Sequence, residues 1–375
     1  ISGSSFQLES NLADCRIYSG NDVINRGNIT LESSRVSINS VIIITAKNVK
    51  AENRNQLIMK QAACEKILLD SENNLEKIQN AVKKNLGVSL PFLADIAHHI
   101  ITPHNNSTRS LLLLQSASLF KKPDDDVIDI GSTLEFLHTA SALHRHIKEP
   151  ENARRHQQHV QKLWGSEASV LLGDYLLSIS FQILTRVGNL DVLECVSLAT
   201  QNISRGQVLE ISEPTLTATP KHWRNVTRDK IAGLFGAGAK SAAYWANASH
   251  ATASTLFAFG EYVGMAAQLK AELDVIDDEK RFQQTLKDQE LWAPLCFLLH
   301  ECLAESEFSI MSEKLQGDFE LEQMTSELRV LFNKHKLHEK LEAEAMRELE
   351  KAAECLSQLE MDSAPLQTLT SYSIL

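Results

Sequence analysis

Apolar positions along most of this chain recur at spacings of three and four, the period of a helix with one buried face. The pattern is sharpest over Gly131–Glu149, where Leu134, Leu137, Ala140, Ser141 and Leu143 form a single stripe. Residues 1–54 differ. There β-branched residues alternate around Ile29–Thr45 and Ser and Asn are frequent, so an irregular N-terminal arm with a strand or two is expected. From Asn55 the good helix formers Lys, Glu, Gln, Leu and Ala dominate as far as Gly87, which fits a helix stop. Further helices are expected at Pro91–Ile101, with His98 and His99 at its end, and at Ser110–Phe120. Gly236–Ala258 is crowded with small residues suited to closely packed helices, and the helical period runs from Trp292 to the C-terminus. There Leu328–Leu359 reads as one strongly charged amphipathic helix, with Glu339, Glu342, Glu344 and Glu348 beside Lys334, Lys336, Lys340 and Arg347. No repeat or low-complexity linker divides residues 55–375, so they are expected to form one all-α domain.

Composition narrows the function classes. With 43% apolar and 23% charged residues, the 375-residue chain has the balance of a soluble globular protein. A net charge of −11 offers no overall basic footprint for nucleic acid, and no apolar run in the sequence reaches the length of a membrane span. Six cysteines, at 15, 64, 195, 296, 302 and 355, show no C-x-x-C spacing. They outline neither a zinc site nor a disulfide framework, and a reducing compartment is the simpler reading.

The candidate chemistry begins at the end of the sharpest helix, Arg145-His-Ile-Lys-Glu149. Carboxylates at i, i+1 and i+4 would gather on one helical face and hold Mg²⁺ through oxygen ligands. Here Arg145, Lys148 and a protonated His146 stand against the single carboxylate of Glu149, a set that repels a hard dication. Arg145 and Lys148, at i and i+3, could instead meet a phosphate or a partner's carboxylates, or simply oppose the helix macrodipole from a solvated end. Upstream, Asp125-Asp-Val-Ile-Asp129 is a literal D-D-x-x-D, but it follows Lys121-Lys-Pro123 in the connection leading into the helix at 131, where acidic residues are ordinary capping chemistry.

Glu135-Phe-Leu-His-Thr-Ala-Ser-Ala-Leu-His144 resembles the helix that carries the first aspartate-rich motif in trans-polyprenyl diphosphate synthases, where the next five residues read Asp-Asp-x-x-Asp. Val170-Leu-Leu-Gly-Asp-Tyr-Leu-Leu-Ser178 is similar to the family's A-x-L-x-G-D-x-L run. There Gly173 would permit close helix approach and Asp174 would be a buried polar group. Ile203-Ser-Arg-Gly-Gln-Val-Leu-Glu-Ile211 looks like its G-E-x-x-Q helix with acid and amide exchanged, Gln207 and Glu210. Lys230-Ile-Ala-Gly-Leu-Phe235 resembles K-T-A-x-L-F, and Phe259–Gln268 resembles the lead-in to the second aspartate-rich motif. That motif should fall at 271–275, which reads Ala271-Glu-Leu-Asp-Val275 and keeps only Glu272 in a matching place.

The resemblance covers residues 55–360 and implies an isoprenoid-synthase helical bundle around a central cavity. It makes Arg109, Arg154, Arg155 and Lys230 the candidates for diphosphate binding, and it implies Mg²⁺ chemistry in working members. Small Ala140 and Ser141 would leave a product tunnel open in such a member. With both motifs eroded at Arg145, His146, Lys148 and Glu149 and at Ala271, Glu272 and Val275, no catalytic residue is assigned to this chain and no metal. The resemblance is to the non-catalytic subunit type of heteromeric long-chain synthases, which also reads His-Arg-x-Ile at the first motif. It implies a catalytic partner subunit carrying the Mg²⁺, a place in ubiquinone side-chain synthesis, and the mitochondrial matrix in a eukaryote or the cytoplasm otherwise. Two alternatives stand beside it. One is an active, divergent prenyltransferase or terpene-type enzyme with its metal moved to Asp274, Asp277 and Asp278, and the other is a stand-alone isoprenoid-diphosphate binder.

Overall fold

The computed structural model describes residues 17–19, 22–24, 71–87, 108–145, 157–213, 215–364 and 366–367. Two short strands, β1 (Ile17–Ser19) and β2 (Asp22–Ile24), pair antiparallel with Tyr18 opposite Val23. They belong to one compact unit and the helices to another. The alternation at Ile29–Thr45 and the helix expected at Pro91–Ile101, with His98 and His99, lie outside the described residues.

The helical unit is all-α. Helix α1 (71–86) buries Ile78, Val82 and Leu86 at four-residue spacing. It stops where Gly87 takes φ +58, a left-handed conformation that glycine adopts without a Cβ clash. Helix α2 (Thr108–Ser118) is buried from Arg109 to Ala117, and Gln115 Nε2 donates to Ser71 Oγ at 2.6 Å, fixing α1 against it. Helix α3 (Asp125–Arg145) begins six residues before Gly131, where the pattern predicts its start. The reason is Asp124: its Oδ1 accepts from the backbone N–H groups of Asp126 and Val127, at 3.2 and 3.4 Å, and from Trp245 Nε1 at 2.9 Å. The Asp125–Asp129 run is therefore the first turn of α3 rather than the connection leading into it.

Helices α4 (Gln157–Val187) and α5 (Leu190–Glu210) form a hairpin through Gly188, at φ +70, and Asn189, whose side chain accepts from Val192 N. Helix α6 (Pro220–Thr227) runs through a wide π-type turn at Arg228–Ala232 into α7 (Gly233–Trp245). Helix α8 (His250–Asp277) packs on α7. Then come α9 (Glu279–Lys287), α10 (Ala293–Phe297) with a π-type extension at Leu298–Cys302, α11 (Glu305–Gln316), α12 (Leu321–Lys334) and α13 (Leu337–Ser357).

The single helix expected over Leu328–Leu359 is thus two helices. Lys336 sits at φ +51 and breaks the run, yet neither glycine nor proline marks the place. Leu328 and Phe332 before the break and Leu337 and Leu341 after it enter the same core, so the apolar pattern conceals the join. That core also holds the aromatic group Phe282, Trp292 and Phe332, with ring centroids 4.8 to 5.7 Å apart.

The small residues of 236–258 act as expected, since α7 and α8 meet backbone to backbone. A Cβ on Gly260 would stand 2.7 Å from the Phe235 carbonyl oxygen, and one on Gly236 would stand 2.8 Å from that of Phe257. Both obstacles are backbone atoms, so relief requires the helices to part. Gly260→Ala is expected to cost about 1–3 kcal/mol of stability, read as a lower urea midpoint at unchanged helix content. An unchanged midpoint would show that the α7–α8 contact is looser than described.

Candidate functional site

The second half of α8 carries the residues that should make the second metal set, and they point in opposing directions. Ala271, Asp274 and Asp277 are exposed, whereas Glu272 and Val275 are buried at 7% exposure each. Both oxygens of Glu272 are occupied. Trp223 Nε1 donates to each at 3.1 Å, Gln268 Nε2 donates to Oε1 at 2.6 Å, and Ala293 N donates to Oε2 at 2.6 Å. Its backbone carbonyl accepts from Trp292 Nε1 at 3.0 Å. Burial pushes the Glu272 carboxyl up to about 7, against the opposing pull of the donors from Gln268, Ala293 and Trp223. The retained carboxylate is thus a core staple joining α8 to α6 and to the start of α10.

A divalent metal does not fit this set. Ala271 has no donor atom, Val275 is apolar and inward, and the oxygens of Glu272 face N–H groups. The downstream acids do not replace it. Asp278 Oδ1 caps α9, accepting from Lys280 N and Arg281 N at 3.1 Å each. Among the described residues no three His, Cys, Asp or Glu side chains converge on one point.

The described diphosphate candidates face carboxylates of their own chain. Arg109 lies 3.1 Å from Glu135 Oε2, both side chains under 10% exposed, and Ser110 Oγ donates to the other oxygen at 2.6 Å. Its guanidinium also stands 5.7 Å from the Phe235 ring centroid. Lys230 is buried in an ion pair with Glu210. Gly206 makes that placement possible, since a Cβ there would fall 2.7 Å from Lys230 Cγ. Gln207, the other exchanged residue, donates through Nε2 to the Ser141 carbonyl at 2.9 Å, tying α5 to α3. Arg205 grips Asp229 with two bonds of 2.6 and 2.8 Å.

At the first motif α3 ends at Arg145. The Arg145 side chain, His146, Lys148, Glu149, Arg154 and Arg155 lie outside the described residues. Just before them, His144 Nε2 stands 3.3 Å from Asp174 Oδ1, and a Cβ on Gly173 would meet the His144 ring at 2.2 Å. Gly173 therefore serves close approach, as expected. Asp174 does not match the expectation of burial: its side chain is 63% exposed, because the contact with α3 is made by Gly173 and Asp174 lies at its edge. In the first turn of α3, burial and then the nearby carboxylates of Asp124, Asp129 and Asp125 raise the Asp126 carboxyl, while Asp129 stands 3.5 Å from Arg186.

Residue identity alone missed Trp223, Glu135 and Glu210 as the partners that define this region. The acid–amide exchange at 207 and 210 was the one available signal, because it places a carboxylate on the helix that meets Lys230.

Comparison with known proteins agrees with this fold. The polyprenyl synthetase family model matches residues 90–329. The octaprenyl diphosphate synthase of Escherichia coli K12 is 27% identical over 212 residues, 56% of this chain and 65% of that protein. In such matches the chain spans just under two thirds of the curated relatives' length. A prenyl transferase of Cyanophora paradoxa is 24% identical, over 83% of this chain and 98% of its own. Among solved structures, a decaprenyl diphosphate synthase from Rhodobacter capsulatus superposes with a TM-score of 0.70 at 22% identity, covering 83% of this chain and 98% of that one. A polyprenyl synthase from Caulobacter crescentus CB15, complexed with calcium and isoprenyl diphosphate, gives 0.75 at 19% identity, covering 83% and 97%. Both likenesses show the isoprenoid-synthase fold.

The Glu272 staple makes stability depend on pH. Its carboxyl is raised from 4.5 to about 7, so the folded state holds the proton more tightly. The resulting stabilisation is full below the unfolded value and is lost as pH rises towards 7, a change of roughly 3 kcal/mol. Glu272→Gln is expected to flatten this part of the profile in urea titrations from about pH 5 to 7.5. An unchanged slope would contradict the burial of the carboxylate.

Proposed function

The chain belongs to the polyprenyl synthetase family, and from that membership we propose that it is a non-catalytic subunit of a heteromeric long-chain trans-polyprenyl diphosphate synthase. The observation that carries the reading is the inward turn of Glu272 between Ala271 and Val275, which leaves no ligand set at the second motif. In a working member, metal ions stabilise the diphosphate leaving group as the allylic substrate ionises. Here the corresponding helix supplies hydrogen bonds to the core instead. The ion pairs of Arg109 with Glu135 and of Lys230 with Glu210 support the same reading, since each cation already has a carboxylate.

On this reading the chain corresponds to subunit 2 of decaprenyl diphosphate synthase, the subunit type its first motif resembles. On this reading a catalytic partner supplies the aspartates and the Mg²⁺, and this chain supports the assembly that makes the ubiquinone side chain. Its compartment is the mitochondrial matrix if the source is a eukaryote and the cytoplasm otherwise. A relocated metal at Asp274, Asp277 and Asp278 is disfavoured by the commitment of Asp278 to capping α9.

The test is prenyl-chain synthesis from allylic and isopentenyl diphosphates with Mg²⁺, by the isolated chain and after co-expression with a catalytic homologue. No product alone, and long-chain product from the co-purified complex above that of the homologue alone, is the expected result. Turnover by the isolated chain would overturn the reading.

A further inference from the structure

The four described cysteines differ in what surrounds them. Cys195 and Cys296 are buried. Burial pushes the Cys195 thiol up to about 11 and raises that of Cys296 as well, so both stay protonated and closed to a water-borne oxidant. Cys355 is partly exposed, but burial and then the neighbouring Glu354 raise its thiol too. Cys302, also partly exposed, meets a second nucleophile: Lys340 Nζ stands 3.4 Å from its Sγ. Lys314, Lys334 and Lys351 each reach a carboxylate, whereas the exposed Lys340 reaches sulfur.

The backbones that carry the pair are both anchored. Cys302 ends the π-type extension of α10, whose Leu298 and Leu299 are buried and whose Leu298 carbonyl accepts from Leu303 N at 3.1 Å. Lys340 lies in the first turn of α13 between buried Leu337 and Leu341. Its own N–H closes that turn on the Lys336 carbonyl at 3.2 Å. Lys336, left-handed at φ +51, turns the chain from α12 into α13 and so sets where Lys340 stands. A separation of 3.4 Å is that of reacting atoms placed for attack.

We propose that Cys302 and Lys340 form a peroxide-driven covalent strap, a sulfenamide joining Sγ to Nζ. Hydrogen peroxide is the oxidant. The Cys302 sulfur attacks one peroxide oxygen, and the S–O bond forms as the O–O bond breaks. Sulfur is oxidised to the sulfenic acid, the peroxide is reduced, and the thiol proton leaves with the second oxygen as water. Lys340, having given a proton to solvent, then attacks that sulfur through Nζ. The S–N bond forms, the S–O bond breaks, and the hydroxyl leaves as water with a second proton from the nitrogen. Sulfenic acids condense with backbone nitrogen in the same way, and here the side-chain amine is already at the sulfur. The strap joins positions 38 residues apart and ties the start of α13 to α10. A thiol reductant reopens it. The inference is independent of the subunit reading.

The test treats the full chain with hydrogen peroxide, digests it with trypsin and reads the peptides by mass spectrometry. The expected product joins peptide 288–314 to peptide 337–347, uncleaved at Lys340 and about 2 Da lighter than their summed reduced masses. Fragmentation is expected to place the bond at Cys302 and Lys340, and dithiothreitol to release both peptides. Lys340→Gln is expected to abolish the bridge while leaving a sulfenic acid at Cys302 that dimedone traps, and Cys302→Ser to abolish both products. Neither variant is expected to shift the melting temperature of the reduced chain, because neither side chain is buried. Cys302 recovered only as a sulfinic acid, about 32 Da heavier and unchanged by dithiothreitol, overturns the proposal. So does a wild-type digest in which no bridged pair of that mass appears, or dimedone labelling of Cys302 that is the same in the wild type and in Lys340→Gln.

Discussion

A carboxylate sealed in a protein core must be held by donors or give up its charge, and Glu272 sets that condition for the C-terminal half of this molecule. Its oxygens take the indole N–H of Trp223 from α6 and the backbone N–H of Ala293 at the start of α10, while Gln268 closes the arrangement along α8. Removing the side chain would orphan donors on three helices. Keeping it commits the acid to architecture, and a group committed in this way is withdrawn from metal binding. On the proposed reading, the structural role of Glu272 and the missing ligand set at the second motif have one cause.

A comparable arrangement holds two of the basic residues. Arg109 and Lys230 are buried deeply enough that each needs a counter-charge, and Glu135 and Glu210 provide it from neighbouring helices. These pairs sit among helices brought together by Gly206 and, at the α7–α8 crossing, by Gly236 and Gly260. Close helix approach leaves little water to solvate a lone cation, so tight packing and internal charge pairing accompany one another.

Much of the fold was legible because it depends on local pattern. The stripe Leu134–Leu143 marks α3, Gly87 marks the end of α1, and the small residues of 236–258 mark a close crossing. The errors came where a distant or unmarked residue decides. Asp124 starts α3 ahead of its apolar stripe, and Lys336 splits the last long helix while the stripe continues across it. At the candidate site, periodicity identified Glu272 as the remaining acid but could not show which way it faces. That direction is set by Trp223 and Ala293, 49 and 21 residues away in sequence. The ion pair of Arg109 was likewise hidden, because its partner Glu135 lies 26 residues further on, within a motif that draws attention for another reason.

The central claim is that Glu272, Arg109 and Lys230 serve the fold in this chain. Calorimetric titration of the isolated chain with inorganic pyrophosphate, with and without Mg²⁺, tests it most directly. The expected result is no magnesium-dependent binding, because the second motif supplies no ligand set and the described cations already face carboxylates. Saturable pyrophosphate binding that requires Mg²⁺ would contradict it and show that a working metal site persists in this chain.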